Sequence, residues 1–133
     1  MDPIERIYRE WDQRWEANDA AGVLALYAAD AVFESPLVPN LTGRERGVLR
    51  GHGELRPFFE QILQRKPASR GRYRAGYLTD GRVLFWEYPR QTPGDEQLDL
   101  AEVMEISSGL IQRHRVYWGW VGCRALKDDA YRK

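Results

Sequence analysis

The sequence predicts a single α+β domain in which helices come first and then cover one face of an antiparallel sheet. Three observations lead there. Apolar residues recur at helical spacing up to about residue 65, and they alternate at strand spacing from about residue 72 onward. The strand-like runs are divided by short turn-forming segments of the hairpin kind. No repeat, linker or low-complexity tract breaks the 133 residues, so 1–133 is expected to be one domain.

The first helix starts at Asp2-Pro-Ile-Glu5: Asp caps, Pro sits at the first helical position, and Glu5 reaches back as in a capping box. Ile4, Ile7, Tyr8, Trp11 and Trp15 then form one apolar stripe. Asp19 caps a second helix expected to run to about Ala29, and Ala31 to Ser35 is a brief strand stopped by Pro36. Leu37 to Gly53 reads as irregular because glycines and Pro39 interrupt it. A third helix, about Glu54 to Arg65, tolerates Pro57 if that residue falls in its first turn. Strands are expected at Arg72–Leu78, Arg82–Arg90, Gln97–Ile106 and Leu110–Trp118, with a charged tail from Asp128 to Lys133.

Composition narrows the function classes. Twenty basic and twenty acidic residues leave no net charge, so neither nucleic acid nor a membrane surface is an expected partner. Arg70, Arg72, Arg74 and Arg82 read as a solvated strand face. Cys123 stands alone, which excludes an internal disulfide and suits a reducing, cytoplasmic setting. Two histidines without a cysteine cluster give no zinc spacing, and no glycine-rich phosphate loop precedes a helix. No metal or cofactor is therefore expected. Five Trp and seven Tyr suggest that some aromatics line a cavity for a hydrophobic small molecule.

An acid in an apolar row is the sharpest local signal. Leu98, Leu100, Glu102, Met104 and Ile106 share one strand face, and the polar set Gln97, Asp99, Ala101, Val103 and Glu105 takes the other. With Ser107-Ser-Gly109 as a three-residue loop, Glu102 pairs directly with His114, and Gln112, Val116 and Trp118 share their face. Such a couple can hold a proton near neutral pH and act as general acid or base. A slip of one residue would turn His114 to the other face, and a buried pair can also simply satisfy itself. Glu102 and His114 are the candidate catalytic residues. Trp11, Trp15, Tyr27, Phe33, Phe59 and Trp118 are expected to converge on the same space, ring by ring as core or together as a ligand site. For strand 82–90, either Phe85 and Glu87 or Trp86 and Tyr88 face inward, with Trp86 and Tyr88 preferred. The outer face, continued by Ile111, Arg113, Arg115 and Tyr117, suits contact with a second copy.

Two segments carry a family resemblance: Leu26-Tyr-Ala-Ala-Asp-Ala-Val-Phe-Glu-Ser-Pro36 and Gly109-Leu-Ile-Gln-Arg-His-Arg-Val-Tyr-Trp118. With the Trp-bearing first helix and the stretch from Gly51 to Phe59, they resemble SnoaL-like proteins of the nuclear transport factor 2-like fold. The resemblance implies a cone-shaped curved sheet wrapped by three N-terminal helices around a deep pocket, and a homodimer through the outer sheet face. It covers nearly the whole chain. Ketosteroid isomerases, limonene epoxide hydrolases and polyketide cyclases share this fold. By this likeness the isomerases' general base falls at Ser35, their oxyanion-hole Tyr at about Trp11, and their protonated acid at Glu102. The hydrolases' and cyclases' last-strand Asp falls at Val116. Met104 and Val116 join the expected ligand contacts. The isomerase pattern is thus lost at Ser35 and the hydrolase pattern at Val116, while an acid is kept at 102.

Overall fold

The computed structural model describes residues 2–65, 75–87, 90–91 and 97–127, with the side chains of residues 90, 91, 97, 98 and 125 left aside. The expected strand from Arg72 therefore lies largely outside the described residues, as do Tyr88, the connection around Pro93 and the tail from Asp128.

Helix α1 (Pro3–Glu16) begins as its sequence dictates, with Asp2 Oδ1 accepting from the Ile4 N–H at 3.0 Å. Glu5 does not close a capping box; it pairs with Arg9 one turn on, at 2.8 Å. The buried stripe is Ile4, Ile7, Trp11 and Trp15. Helix α2 is only Ala20–Leu24, shorter than expected, because the chain turns at Ala25 and Leu26 and enters strand β1 (Tyr27–Glu34) early. The stretch expected to be irregular folds into α3 (Leu37–Thr42) and strand β2 (Val48–Arg50). Gly51, at φ 76°, starts α4 (Gly51–Arg65) three residues sooner than expected, so Pro57 lies inside the helix rather than in its first turn.

Strands β3 (Leu78–Thr79), β4 (Val83–Glu87), β7 (Leu100–Ser107) and β8 (Leu110–Trp118) complete a curved, unclosed six-stranded sheet in the order β2-β1-β8-β7-β4-β3. Arg90–Gln91 (β5) and Gln97–Leu98 (β6) form a separate two-stranded ribbon. The cone expected from the sequence is present, but the sheet is mixed: β1 runs parallel to β8. The first and last strands are brought side by side, and a hairpin cannot join partners so distant in the chain. Helices α1, α2 and α4 cover the concave face, where the apolar faces of helix and sheet merge into one core. A fifth helix, α5 (Trp120–Lys127), follows β8 and packs Gly122 against the Trp118 ring; a Cβ there would lie 2.7 Å from that ring.

The β7–β8 turn has two residues rather than three. Ser107 pairs with Leu110, and both Ser108 (φ 53°) and Gly109 (φ 75°) are left-handed, as a type I′ turn demands. One residue later β8 bulges, since Ile106 pairs with Ile111 but Glu105 with Arg113. Gln112 is the extra residue, and its amide donates to Asp30 Oδ1 across the matching irregularity in β1, at 3.0 Å. The shorter turn sets Ile111 opposite Ile106 and so turns it inward to full burial instead of onto the outer face, and the bulge returns the residues beyond Gln112 to their expected faces.

Ser108→Asn is expected to raise stability by about 0.5 kcal/mol because Asn tolerates the left-handed region. Gly109→Ala is expected to cost about 1 kcal/mol through φ strain alone, since an added Cβ meets nothing closer than 3.8 Å. Urea unfolding of the two variants beside the wild type checks both signs.

Candidate functional site

Glu102 and His114 meet on the concave face, each 1% exposed. They are not directly opposite. His114 pairs across the hairpin with Met104, and Glu102 with Val116, so the two are diagonal neighbours. The shorter turn and the bulge each move the register by one residue in the same sense. The total shift is even, so His114 keeps the expected face. The imidazole Nε2 lies 2.6 Å from Glu102 Oε1.

The contact extends further than the pair. Tyr27, the first residue of β1, places its hydroxyl 2.7 Å from His114 Nδ1. That hydroxyl accepts the Trp11 indole N–H at 3.2 Å. Four buried side chains from α1, β1, β8 and β7 thus form one line: Trp11, Tyr27, His114, Glu102. Burial holds the Tyr27 phenol well above its ordinary range; the Trp11 hydrogen bond opposes this and the Glu102 charge adds to it. The phenol therefore keeps its proton at neutral pH.

Aromatic rings enclose the line. Trp11 contacts Trp15, Trp86 and His114 at centroid distances of 5.7, 5.5 and 5.9 Å. Phe33 meets His114 edge-on at 4.9 Å, and Phe59 lies 5.1 Å from Tyr27. The expected convergence of Trp11, Trp15, Tyr27, Phe33 and Phe59 is thus a set of mutual ring contacts. Met104 is fully buried beside His114, while Val116 and Trp118 are half-buried. Trp86 faces inward, directly opposite Glu102, and Phe85 is half-buried on the other face. Trp86 also borders a cleft of about 310 Å³ lined by residues 75–78 and 85–87. Tyr8 closes on Trp86 at 5.7 Å and accepts the Gly76 N–H at 3.0 Å.

Ser35 is not part of this group. Its Oγ accepts the Leu37 N–H at 3.1 Å and so serves the start of α3. Among the described residues, Glu102 Oε2 and Trp86 Nε1 are buried polar atoms without a hydrogen-bond partner, and they belong to directly opposed residues. No group of three or more potential metal ligands occurs among the described residues. No described helix is long and apolar enough to cross a membrane. Tyr27 as the link between Trp11 and His114 is not visible in any sequence spacing. The available signal was a Tyr, not a Phe, at an apolar position, since a buried phenol needs a partner.

A family model for the SnoaL-like domain matches residues 8–114. The chain belongs to the SnoaL-like family. Similar solved structures include a steroid delta-isomerase from Pseudomonas aeruginosa, 20% identical with TM-score 0.72, covering 98% of this chain and 90% of that one. A SnoaL-like protein of unknown function from Burkholderia thailandensis is 18% identical with TM-score 0.72, covering 88% and 94%. The epoxide hydrolase/cyclase-like enzyme SalBIII, of pyran ring formation in salinomycin, is 17% identical with TM-score 0.63, covering 88% and 91%. At these identities the likeness establishes the fold alone. Comparison with curated proteins gives no match.

His114→Phe strands the Tyr27 hydroxyl and Glu102 Oε1, and is expected to cost about 3–5 kcal/mol. The double variant Glu102→Met/His114→Phe is expected to cost less than the sum of its single changes by about 1 kcal/mol or more, because no buried charge is left unpaired. A double-mutant cycle in urea measures the difference.

Proposed function

We propose that this SnoaL-like protein takes up a hydrophobic, ring-containing small molecule and works on it by proton transfer at Glu102, without a cofactor. The observation that carries this reading is Glu102 Oε2, a buried carboxyl oxygen with no hydrogen-bond partner among the described residues. The other oxygen is engaged by His114. An acid so held can take a proton from a ligand at Oε2 and return it at a neighbouring atom, as isomerisation or cyclisation requires. The ligand's rings would lie against Trp86, which pairs with Glu102 across the sheet and lines the cleft beside Tyr77. Similar folds in a steroid delta-isomerase and an epoxide hydrolase/cyclase-like enzyme support this chemical class.

A second reading is a non-catalytic ligand-binding or interaction module. The close ring contacts around His114 favour it, because Glu102 is then a core acid held by His114 among packed aromatics. A cytoplasmic homodimer belongs to both readings. Ala101, Val103 and Glu105 with Arg113, Arg115 and Tyr117 offer a mixed outer face, on which Arg115 and Glu105 form an ion pair.

Screening ketosteroids and cyclic epoxides for binding and turnover tests the proposal. Glu102→Gln is expected to keep the thermal midpoint yet lower turnover of any converted compound by about 100-fold or more. Compounds that bind wild type and Glu102→Gln equally, with no conversion by either, would establish the binding module instead. Sedimentation equilibrium is expected to give twice the mass of one chain; a monomer at micromolar concentration removes the dimer.

A further inference from the structure

An indole N–H only donates and never accepts, so the line of four side chains has a direction. The Trp11 indole N–H donates a hydrogen bond to the Tyr27 oxygen. Among the described residues, the phenol's own O–H then has one neighbour to serve, His114 Nδ1 at 2.7 Å. Nδ1 must accept, which puts the proton of a neutral imidazole on Nε2, facing Glu102 Oε1 at 2.6 Å. The opposite tautomer would aim an Nδ1–H at a hydroxyl that already accepts from Trp11, and would leave the phenol proton without an acceptor.

We propose that Trp11 and Tyr27 are positioning residues that lock His114 in its Nε2–H tautomer, so that Glu102 Oε1 is permanently engaged and Oε2 is the one oxygen left for chemistry. The lock also decides what the line cannot do. Passing a proton along it would require Tyr27 to refill from the indole, whose N–H does not ionise in water. The line holds Glu102 in place and polarises it, but does not conduct protons away. A proton received at Oε2 must leave by Oε2, which suits an internal proton transfer over exchange with solvent. Burial of the phenol reinforces the direction by keeping its proton on oxygen.

The inference extends the proposed role of Glu102, yet its test needs no ligand. Long-range proton–nitrogen NMR on histidine-labelled protein distinguishes a pyridine-type from a pyrrole-type ring nitrogen. His52, whose Nε2 lies 2.9 Å from the Tyr27 carbonyl, is the second histidine in the spectrum. For His114 the expected result is a pyridine-type Nδ1 and a pyrrole-type Nε2. Trp11→Phe keeps the ring packing but frees the Tyr27 oxygen to accept, and is expected to give signals averaged between the two tautomers. Tyr27→Phe removes the donor to Nδ1 and is expected to shift that nitrogen toward an unbonded pyridine value. A pyrrole-type Nδ1 in the wild type overturns the lock whether or not the variants fold. So do His114 shifts that stay unchanged in both variants. An intact lock together with unaltered turnover in Glu102→Gln would instead count against the acid–base role alone.

Discussion

Pairing of Leu100–Ser107 with Leu110–Trp118 holds the centre of the sheet, and the positions of the candidate side chains on the strands follow from it. Strand β4 is paired to one edge of this hairpin and β1 to the other. The first therefore brings Trp86 opposite Glu102, and the second brings Phe33 beside His114. Because side chains alternate with a period of two, a register error of one residue would export His114 to solvent and expose the aromatic faces that now enclose it. The two-residue turn at Ser108-Gly109 and the bulge at Gln112 are each such a one-residue change. They act in the same sense, so the concave face keeps its membership.

What this register assembles is a polar line inside an aromatic shell. Rings exclude water from Tyr27, His114 and Glu102, so each polar atom depends on its neighbours for a hydrogen bond. The demand runs from α1 through β1 and β8 to β7, tying the first helix to the last two strands of the sheet. Arg6 adds a second tie by donating to the Gly109 carbonyl at 2.7 Å. Moving α1 would break both at once.

The chain also departs from the chemistry that its fold relatives imply. Ser35, which stands where the isomerases' likeness suggests a base, is occupied with the Leu37 N–H. Val116 presents no polar group opposite Glu102. An acid at 102 remains, now held by a histidine that itself answers to a tyrosine and a tryptophan.

The sequence by itself determined the helical stripe of Trp11 and Trp15, the capped start at Asp2, the apolar row around Glu102 and the span of β8. Each is written in local periodicity and turn chemistry, which act over a few residues. The cone and the family resemblance were legible for the same reason, from segments whose pattern is local. The parallel pairing of β1 with β8, the bulge at Gln112 and the hydrogen bond from Tyr27 to His114 were not legible. They join positions far apart in the chain, and no spacing rule connects residue 27 to residue 114. The short α3 and β2 were hidden by glycines and Pro39, whose breaking tendency was overridden by packing against α4 and β1. Tertiary structure alone decided that Trp11, placed by its helix, would meet the oxygen of Tyr27 and give the buried line its direction.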